Sequence, residues 1–175
     1  MNEKDAIDIL LRSGCSPDVI EHCRAVAEYA RMIALNINAC TQKKGLNENI
    51  DTDLVFIGGL LHDVGRSRTH SILHAVEGAK IAAENGLEDR FVNIIERHIG
   101  AGIPVEEAKA LGLPEKDYMP VRIEEKIVAH ADNLIFGTRV VALEELVDKL
   151  HKRKLDEKTI QRVVRLNDEI CSMMC

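Results

Sequence analysis

Seven histidines, with aspartates spaced among them, are the residues of this chain best suited to chemistry. The densest group is GGLLHDVGRSRTH, residues 58–70, where an apolar run ends on His62–Asp63. Both side chains are costly to bury unpaired, and both are good metal ligands. The other candidates fall on apolar helical faces. His22 is spaced with Val19, Val26 and Ala30, and His74 with Gly78 and Ile81. His98 lines up with Phe91 and Ile94, and Asp132 with Val128 and Phe136. A single histidine is more often a satisfied core or surface residue than a ligand. Here four imidazoles and two carboxylates stand where the pattern calls for apolar groups, and an unpaired buried polar group costs about 1–3 kcal/mol or more. They need a common partner, and a metal centre satisfies them together.

Nitrogen and oxygen donors without thiolate suit Mn, Fe, Co, Ni or Zn, with Mg also accommodated. Carboxylates bridge two ions well, and two ions about 3.5–4 Å apart clamp an in-line phosphoryl displacement. His62 and Asp63, as neighbours, cannot easily share one helical face. A helix end can turn both toward one place.

At these residues the sequence resembles the HD-domain superfamily of metal-dependent phosphohydrolases, in its HDIG-type form. The resemblance rests on EHCRAVAEYA (His22), GGLLHDVGR (His62, Asp63), HAVEGAKIA (His74), ERHIGAG (His98) and AHADNL (Asp132). It runs from about residue 20 to 137, and the ordered set is specific where the pair His-Asp alone is not. It implies a helical bundle with metals at its centre. It implies His22, His62, Asp63 and Asp132 around a first ion. Asp63 then bridges to a second ion held by His74 and His98. Single-metal members lack the two middle histidines, so two divalent ions per chain are expected. The implied chemistry is attack by a metal-activated water on a phosphoester.

Arg66, three residues after Asp63, stands where many relatives carry Lys. A planar guanidinium there either forks onto a phosphate oxygen or sits on a surface turn. Relatives that cleave cyclic di-GMP carry H-H-E-x-x-D-G-x-G-Y-P. Here Arg97-His98-Ile99 runs straight into GAGIP, so that substrate is not carried over. His130 falls on a different face from Asp132, beside Ile127 and Leu134, and reads as core or as support. His70, in a loop, reads as surface.

The elements that must position these residues are helices. Asn2 caps a first helix that Gly14 ends, and Ser16-Pro17-Asp18 starts a second reaching about Ala39. Residues 41–50 read as a loop, and Asp51 caps a third helix with Ile50 and Val55 as a staple. LVFIGGLL is apolar nearly all round, so this helix is central. Gly58 and Gly59 allow a close neighbour, and Gly65 stops the helix. Further helices are expected from Ser71 to Asn85-Gly86, over 88–99, near 105–111, over 121–136, 138–152 and 156–173. The expectation is one all-α domain of about eight helices, a bundle spanning 1–175 with 138–175 packed on the motif-bearing core.

Composition agrees. Apolar residues make up 46% and aromatics 3%, a mix that favours helix packing. A net charge of −6 disfavours nucleic acid as a partner. The basic run His151-Lys152-Arg153-Lys154 reads as a solvated helix end. No apolar run approaches the roughly 20 residues of a membrane span, and the charged N-terminus does not read as a signal peptide, so a cytoplasmic protein is expected. Five cysteines, odd in number and without a C-x2-C pair, are then expected as free thiols. Cys171 and Cys175, four apart, make only a weak metal signal.

Three functions fit these residues. The first is hydrolysis of a small, nucleotide-like phosphate monoester or diester, with Asp63 and Arg66 in the reaction. The second is a diiron oxygenase, because a branch of the same superfamily uses the same ligand set. The third is a non-catalytic metal-stabilised sensor or interaction module. The loops GAGIP and LPEKDYMP are the expected walls of the substrate pocket, and an oligomer is left open.

Overall fold

Capping side chains set the helix starts of this computed structural model, which describes residues 1–45 and 49–175. Asn2 and Asp5 form a reciprocal capping box for α1 (Glu3–Ser13), and Gly14 closes it with a left-handed backbone, φ +88°. Ser16 Oγ accepts from Val19 N and Pro17 opens α2 (Pro17–Lys43), which runs a turn beyond Ala39. Asp51 Oδ1 accepts from Leu54 N at 2.9 Å to start α3 (Thr52–Leu61). Ile50 and Val55 are both buried in the main core. Most of the expected 41–50 loop lies between α2 and α3, and its residues 46–48 lie outside the described residues. Asn38 anchors its far end: its amide bonds both the N–H and the C=O of Ile50, at 2.8 and 3.0 Å.

α3 is central, as its all-round apolarity requires. Its residues Leu54–Leu61 are all buried, and it packs on α1, α2, α5 and α7. A Cβ at Gly59 would lie 2.7 Å from Ala27 Cα, so α2 approaches α3 backbone to backbone. The helix stops at Leu61, four residues before Gly65, which lies in the 3-10 turn Val64–Ser67. Gly65 is therefore not the stop: a Cβ there would strike the His74 carbonyl, so the glycine serves close approach to the next helix.

The remaining helices are α4 (His74–Glu84), α5 (Asp89–Arg97), α6 (Val105–Ala110), α7 (Ile123–Leu134), α8 (Leu143–Lys152) and α9 (Glu157–Met173). Nine α-helices are thus present among the described residues, in one all-α domain. Ser71 does not begin α4. Its carbonyl and hydroxyl instead fold residues 71–73 into a turn before His74. A second departure is larger. Residues expected as helix ends form a short antiparallel hairpin, β1 (Ile135–Phe136) and β2 (Arg139–Val140), turning at Gly137 with φ +64°. β-Branched Ile135, Thr138, Val140 and Val141 around a glycine favour that turn over helix.

The cysteines also differ from expectation. Cys40 and Cys175 form a disulfide, while Cys15, Cys23 and Cys171 are free. The chain after α9 returns along α2, where Cys175 N donates to Asn36 Oδ1 at 3.1 Å, and this proximity is invisible in sequence spacing. No helix among the described residues is long and apolar enough to cross a membrane.

Candidate metal centre

Six residues named from sequence converge on one point. His22 comes from α2, His62 and Asp63 from the end of α3, His74 from the first residue of α4, His98 from the cap of α5, and Asp132 from α7. His62, Asp63, His74 and His98 are buried, and His22 and Asp132 are partly open to a cavity. Asp63 lies in the middle. Its Oδ2 is 3.7 Å from His62 Nε2 and 4.0 Å from His22 Nε2. Its Oδ1 is 3.2 Å from His74 Nε2 and 3.5 Å from His98 Nε2. Asp132 Oδ1 completes the first side, 3.0 Å from His22 Nε2 and 3.4 Å from His62 Nε2.

The tautomers follow from the other ring nitrogens. His62 Nδ1 is 2.7 Å from Gly59 O, His74 Nδ1 is 2.7 Å from Ser71 O, and His98 Nδ1 is 2.7 Å from Ile95 O. His22 Nδ1 is 2.8 Å from Gly137 O. A carbonyl only accepts, so each Nδ1 carries the proton. In its neutral form each ring then turns the Nε2 lone pair inward, as a metal ligand must. His74 Nε2 and His98 Nε2 face each other at 3.1 Å. Lone pair against lone pair is repulsive unless a proton or a cation sits beside them. His62 Nε2 and Asp63 Oδ1 are buried without a hydrogen-bond partner among the described residues. The donor set therefore fits divalent cations: His22, His62 and Asp132 form one group with ligand atoms close enough to share an ion, and His62, Asp63 and His98 form another.

Electrostatics repeat the pattern. Burial opposes ionisation of Asp63. The His62 charge and the contacts from His74 and His98 override it and hold the carboxyl well below the usual carboxylate range. Asp132 is held low in the same way, against burial, by His62 and His22. For His62, burial resists charge, but Asp63, Cys23 and Asp132 raise its pKa well above the ordinary value. His98 goes the other way, pushed down first by burial.

Arg66 is not on a free surface turn. Its Nε bonds Asp63 Oδ2, so a cationic group already sits against the central carboxylate. A cavity of about 390 Å³ opens over His22, Arg66, His74, His98 and Asp132. Of the loops expected as its walls, GAGIP contributes Gly100, while no residue of LPEKDYMP lines it. The opposite wall is the hairpin and α8, through Phe136, Gly137, Lys149 and Arg153 among others. All four residues of the basic run, His151, Lys152, Arg153 and Lys154, are exposed, as its solvated-end reading expects, and Arg153 alone of them also lines the cavity. Sequence reading missed this wall because a helix face reveals its neighbour only after folding. It also missed Glu125, buried between Arg97 Nη1 at 3.0 Å and Val121 N at 2.7 Å, which ties α5 to α7. His130 is buried core and titrates low, at about 4, because burial disfavours its charge. His70 is exposed and outside the cavity lining.

The chain is similar to known proteins in sequence and in fold. The sequence model described as HD domain matches residues 19–137. An uncharacterized protein of Methanocaldococcus jannaschii is 51% identical over 166 residues, covering 94% of this chain and 95% of that one. A tRNA (cytidine(56)-2'-O)-methyltransferase of Thermoplasma volcanium is 43% identical over 95% of this chain, which spans only 46% of that enzyme. Among solved structures, the HD domain of L. monocytogenes phosphodiesterase PgpH superposes with a TM-score of 0.52 at 18% identity, covering 98% of both chains. The same domain in complex with cyclic-di-AMP gives a TM-score of 0.51 at 16% identity, covering 97% of this chain and 95% of that one.

Proposed function

This chain belongs to the HD-domain family, and from that premise we propose that it is a metal-dependent phosphohydrolase cleaving a small, nucleotide-like phosphate monoester or diester at a two-ion centre. The observation that carries the proposal is Asp63. Its two oxygens face two separate sets of Nε2 atoms, and every one of those imidazoles has its Nδ1 engaged by a carbonyl. His22, His62, Asp63 and Asp132 would hold the first ion, and Asp63, His74 and His98 the second. The N/O donors suit Mn, Fe, Co, Ni or Zn, with Mg also admitted. Such ions, when bound, supply Lewis acidity and a nucleophile usable at neutral pH.

The chain's own residues do the rest. Asp63, between the two sets of imidazoles, fixes the two halves in one frame and would be shared by both ions. Arg66, next to it and lining the cavity, neutralises a phosphate oxygen as a planar fork. The buried floor under α3 excludes water from the far side. A nucleotide-like substrate is supported by the cyclic-di-AMP complex of the fold neighbour. A cavity of about 390 Å³ has the size for a small molecule. The net charge of −6 weighs against a polymer as the partner, although a half-length match to a tRNA methyltransferase makes tRNA worth including as a control ligand.

The test is metal analysis by element with hydrolysis of bis(p-nitrophenyl) phosphate, for wild type, Asp63→Asn and His74→Ala/His98→Ala. Two ions are expected in wild type and about one in the double variant. Asp63→Asn should lose about 100-fold or more in rate, the order seen when one electrostatic stabiliser is removed. One ion in both proteins would sink the two-ion centre. Iron with oxygen consumption and no hydrolysis would move the assignment to a diiron oxygenase, and metal without turnover of any kind to a sensor module.

A further inference from the structure

α8 lies outside the residues matched by the family, 19–137, yet it forms one wall of the cavity over the proposed centre. Its contribution is cationic. Lys149 and Arg153 are one turn apart, so they share a helix face, and both line the cavity. Like charges at this spacing disfavour a helix. The helix C-terminus welcomes cations, but His151, Lys152 and Lys154 already supply them in solvent.

Neither Lys149 nor Arg153 meets a carboxylate at ion-pair distance among the described residues. The nearby acids are engaged elsewhere. Glu145, one turn before Lys149, is held bidentately by Arg139 at 2.5 and 3.1 Å. Asp132 faces His22 and His62, and Asp63 faces Arg66 and the imidazoles. Lys149 Nζ instead sits over the Phe136 ring, 3.2 Å from its centroid, which fixes the ammonium at the cavity wall without neutralising it. Burial, and then Arg153, push its pKa down from the ordinary lysine value, against a smaller opposing pull from Asp132 and Glu145.

We propose that Lys149 and Arg153 form an anion subsite, so that the substrate carries a second phosphate or comparable anionic group beyond the one that reacts. This rests on the phosphohydrolase reading above and narrows its substrate to nucleotides with at least two separate anionic groups. The scissile phosphate is matched by the centre and Arg66. The surplus charge on α8 needs an anion of its own. Leu146, Leu150 and Ile135 line the same cavity and offer apolar surface to the uncharged part of the molecule.

Titration calorimetry with adenosine 3',5'-bisphosphate and with AMP tests it, using metal-loaded wild type, Arg153→Met and Lys149→Met/Arg153→Met. Wild type should bind the bisphosphate at least tenfold more tightly than AMP. Arg153→Met, at an exposed position that tolerates change, should lose about threefold or more of that preference. The double variant should bind the two nucleotides within twofold of each other, with metal content unchanged. Equal affinities in wild type, a preference kept by the double variant, or no binding of either nucleotide would each overturn the subsite. Hydrolysis of bis(p-nitrophenyl) phosphate, which has no second phosphate, reports on the reaction separately. A bisphosphate preference without that hydrolysis would sink the reaction and leave the subsite standing. Hydrolysis without the preference would do the reverse.

Discussion

His62 is the residue on which the centre's chemistry turns. It is fully buried, its Nδ1 is engaged by Gly59 O, and its Nε2 faces two carboxylates. Burial disfavours its charge, but Asp63, Cys23 and Asp132 raise its pKa well above 6.5. In the metal-free protein a proton on Nε2 therefore stands in for a cation. The sign follows. A raised histidine contributes stability that is complete below its unfolded value and is lost as pH rises through the folded value. His98 and His130, both lowered, act oppositely: their stability is present above about 6.5 and is lost as pH falls. Melting temperatures of chelator-stripped protein should thus fall on both sides of a maximum lying above 6.5. Metal uptake should release a proton, because the ion displaces the one on His62. Calorimetry near neutral pH in buffers of different ionisation enthalpy measures this, and uptake with no release would refute the stand-in. At this scale the six converging residues were legible in the sequence, because a polar group on an apolar helical face is conspicuous. The Nδ1 partners were not legible. A main-chain carbonyl leaves no mark in a sequence, and neither does the Arg66–Asp63 contact.

At the scale of elements, one device recurs. His62, His74 and His98 each bond the carbonyl three residues earlier; His62 and His98 do so at helix C-termini, where such carbonyls are left over from the ladder, and His74 at the turn that opens α4, where Ser71 O also accepts the His74 main-chain N–H. His22 lies inside α2, where carbonyls are engaged, and takes its partner from the hairpin at Gly137. Gly137 stands at φ +64°, which costs a residue with a Cβ about 1–2 kcal/mol. Gly137→Val should therefore displace the carbonyl and weaken the first ion by roughly 10–100-fold, as loss of such supporting bonds does elsewhere. Competition with a chelator reads it, and an unchanged affinity would show that the hairpin does not orient His22. The two glycines of α3 give a paired prediction. Gly59→Ala meets the Ala27 backbone at 2.7 Å, whereas Gly58→Ala meets side-chain atoms of Ile94, the nearest being the terminal Cδ1 at 2.7 Å. Urea melts should show Gly59→Ala costing about 1–3 kcal/mol, as overpacking does, and Gly58→Ala distinctly less. The sequence disclosed that these glycines admit a neighbour. It did not disclose the hairpin, since a two-residue strand is too short to show alternation.

For the molecule as a whole, helical class and capping were legible from composition and from Ser, Asp and Asn at helix starts. The long-range ties were not, because pairing across a hundred residues leaves no local pattern. The Cys40–Cys175 disulfide is one such tie. Another joins α9 to the far side of the cavity. Arg162 bonds Glu107 through both Nη atoms at 3.0 and 2.6 Å and the Gly102 carbonyl through Nε at 3.1 Å. Gly102 belongs to the turn that follows His98, and Asn133 Nδ2 holds the same turn at Gly100 O, 2.7 Å away. The Arg162 side chain is 14% exposed and Glu107 34%, so this pair is only partly screened. Hydrogen bonds to charged groups contribute about 1.5–3 kcal/mol, and partial exposure of Glu107 puts the expected cost of Arg162→Met toward the lower end. A double-mutant cycle with Glu107→Gln should return a coupling of about 1 kcal/mol, within the range for residues in contact. The same variant should loosen the turn behind His98. Amide exchange at residues 99–103 should then rise more than at α1, which Arg162 does not touch. Additive effects in the cycle, or equal acceleration at both places, would mean that α9 covers the core without clamping the turn.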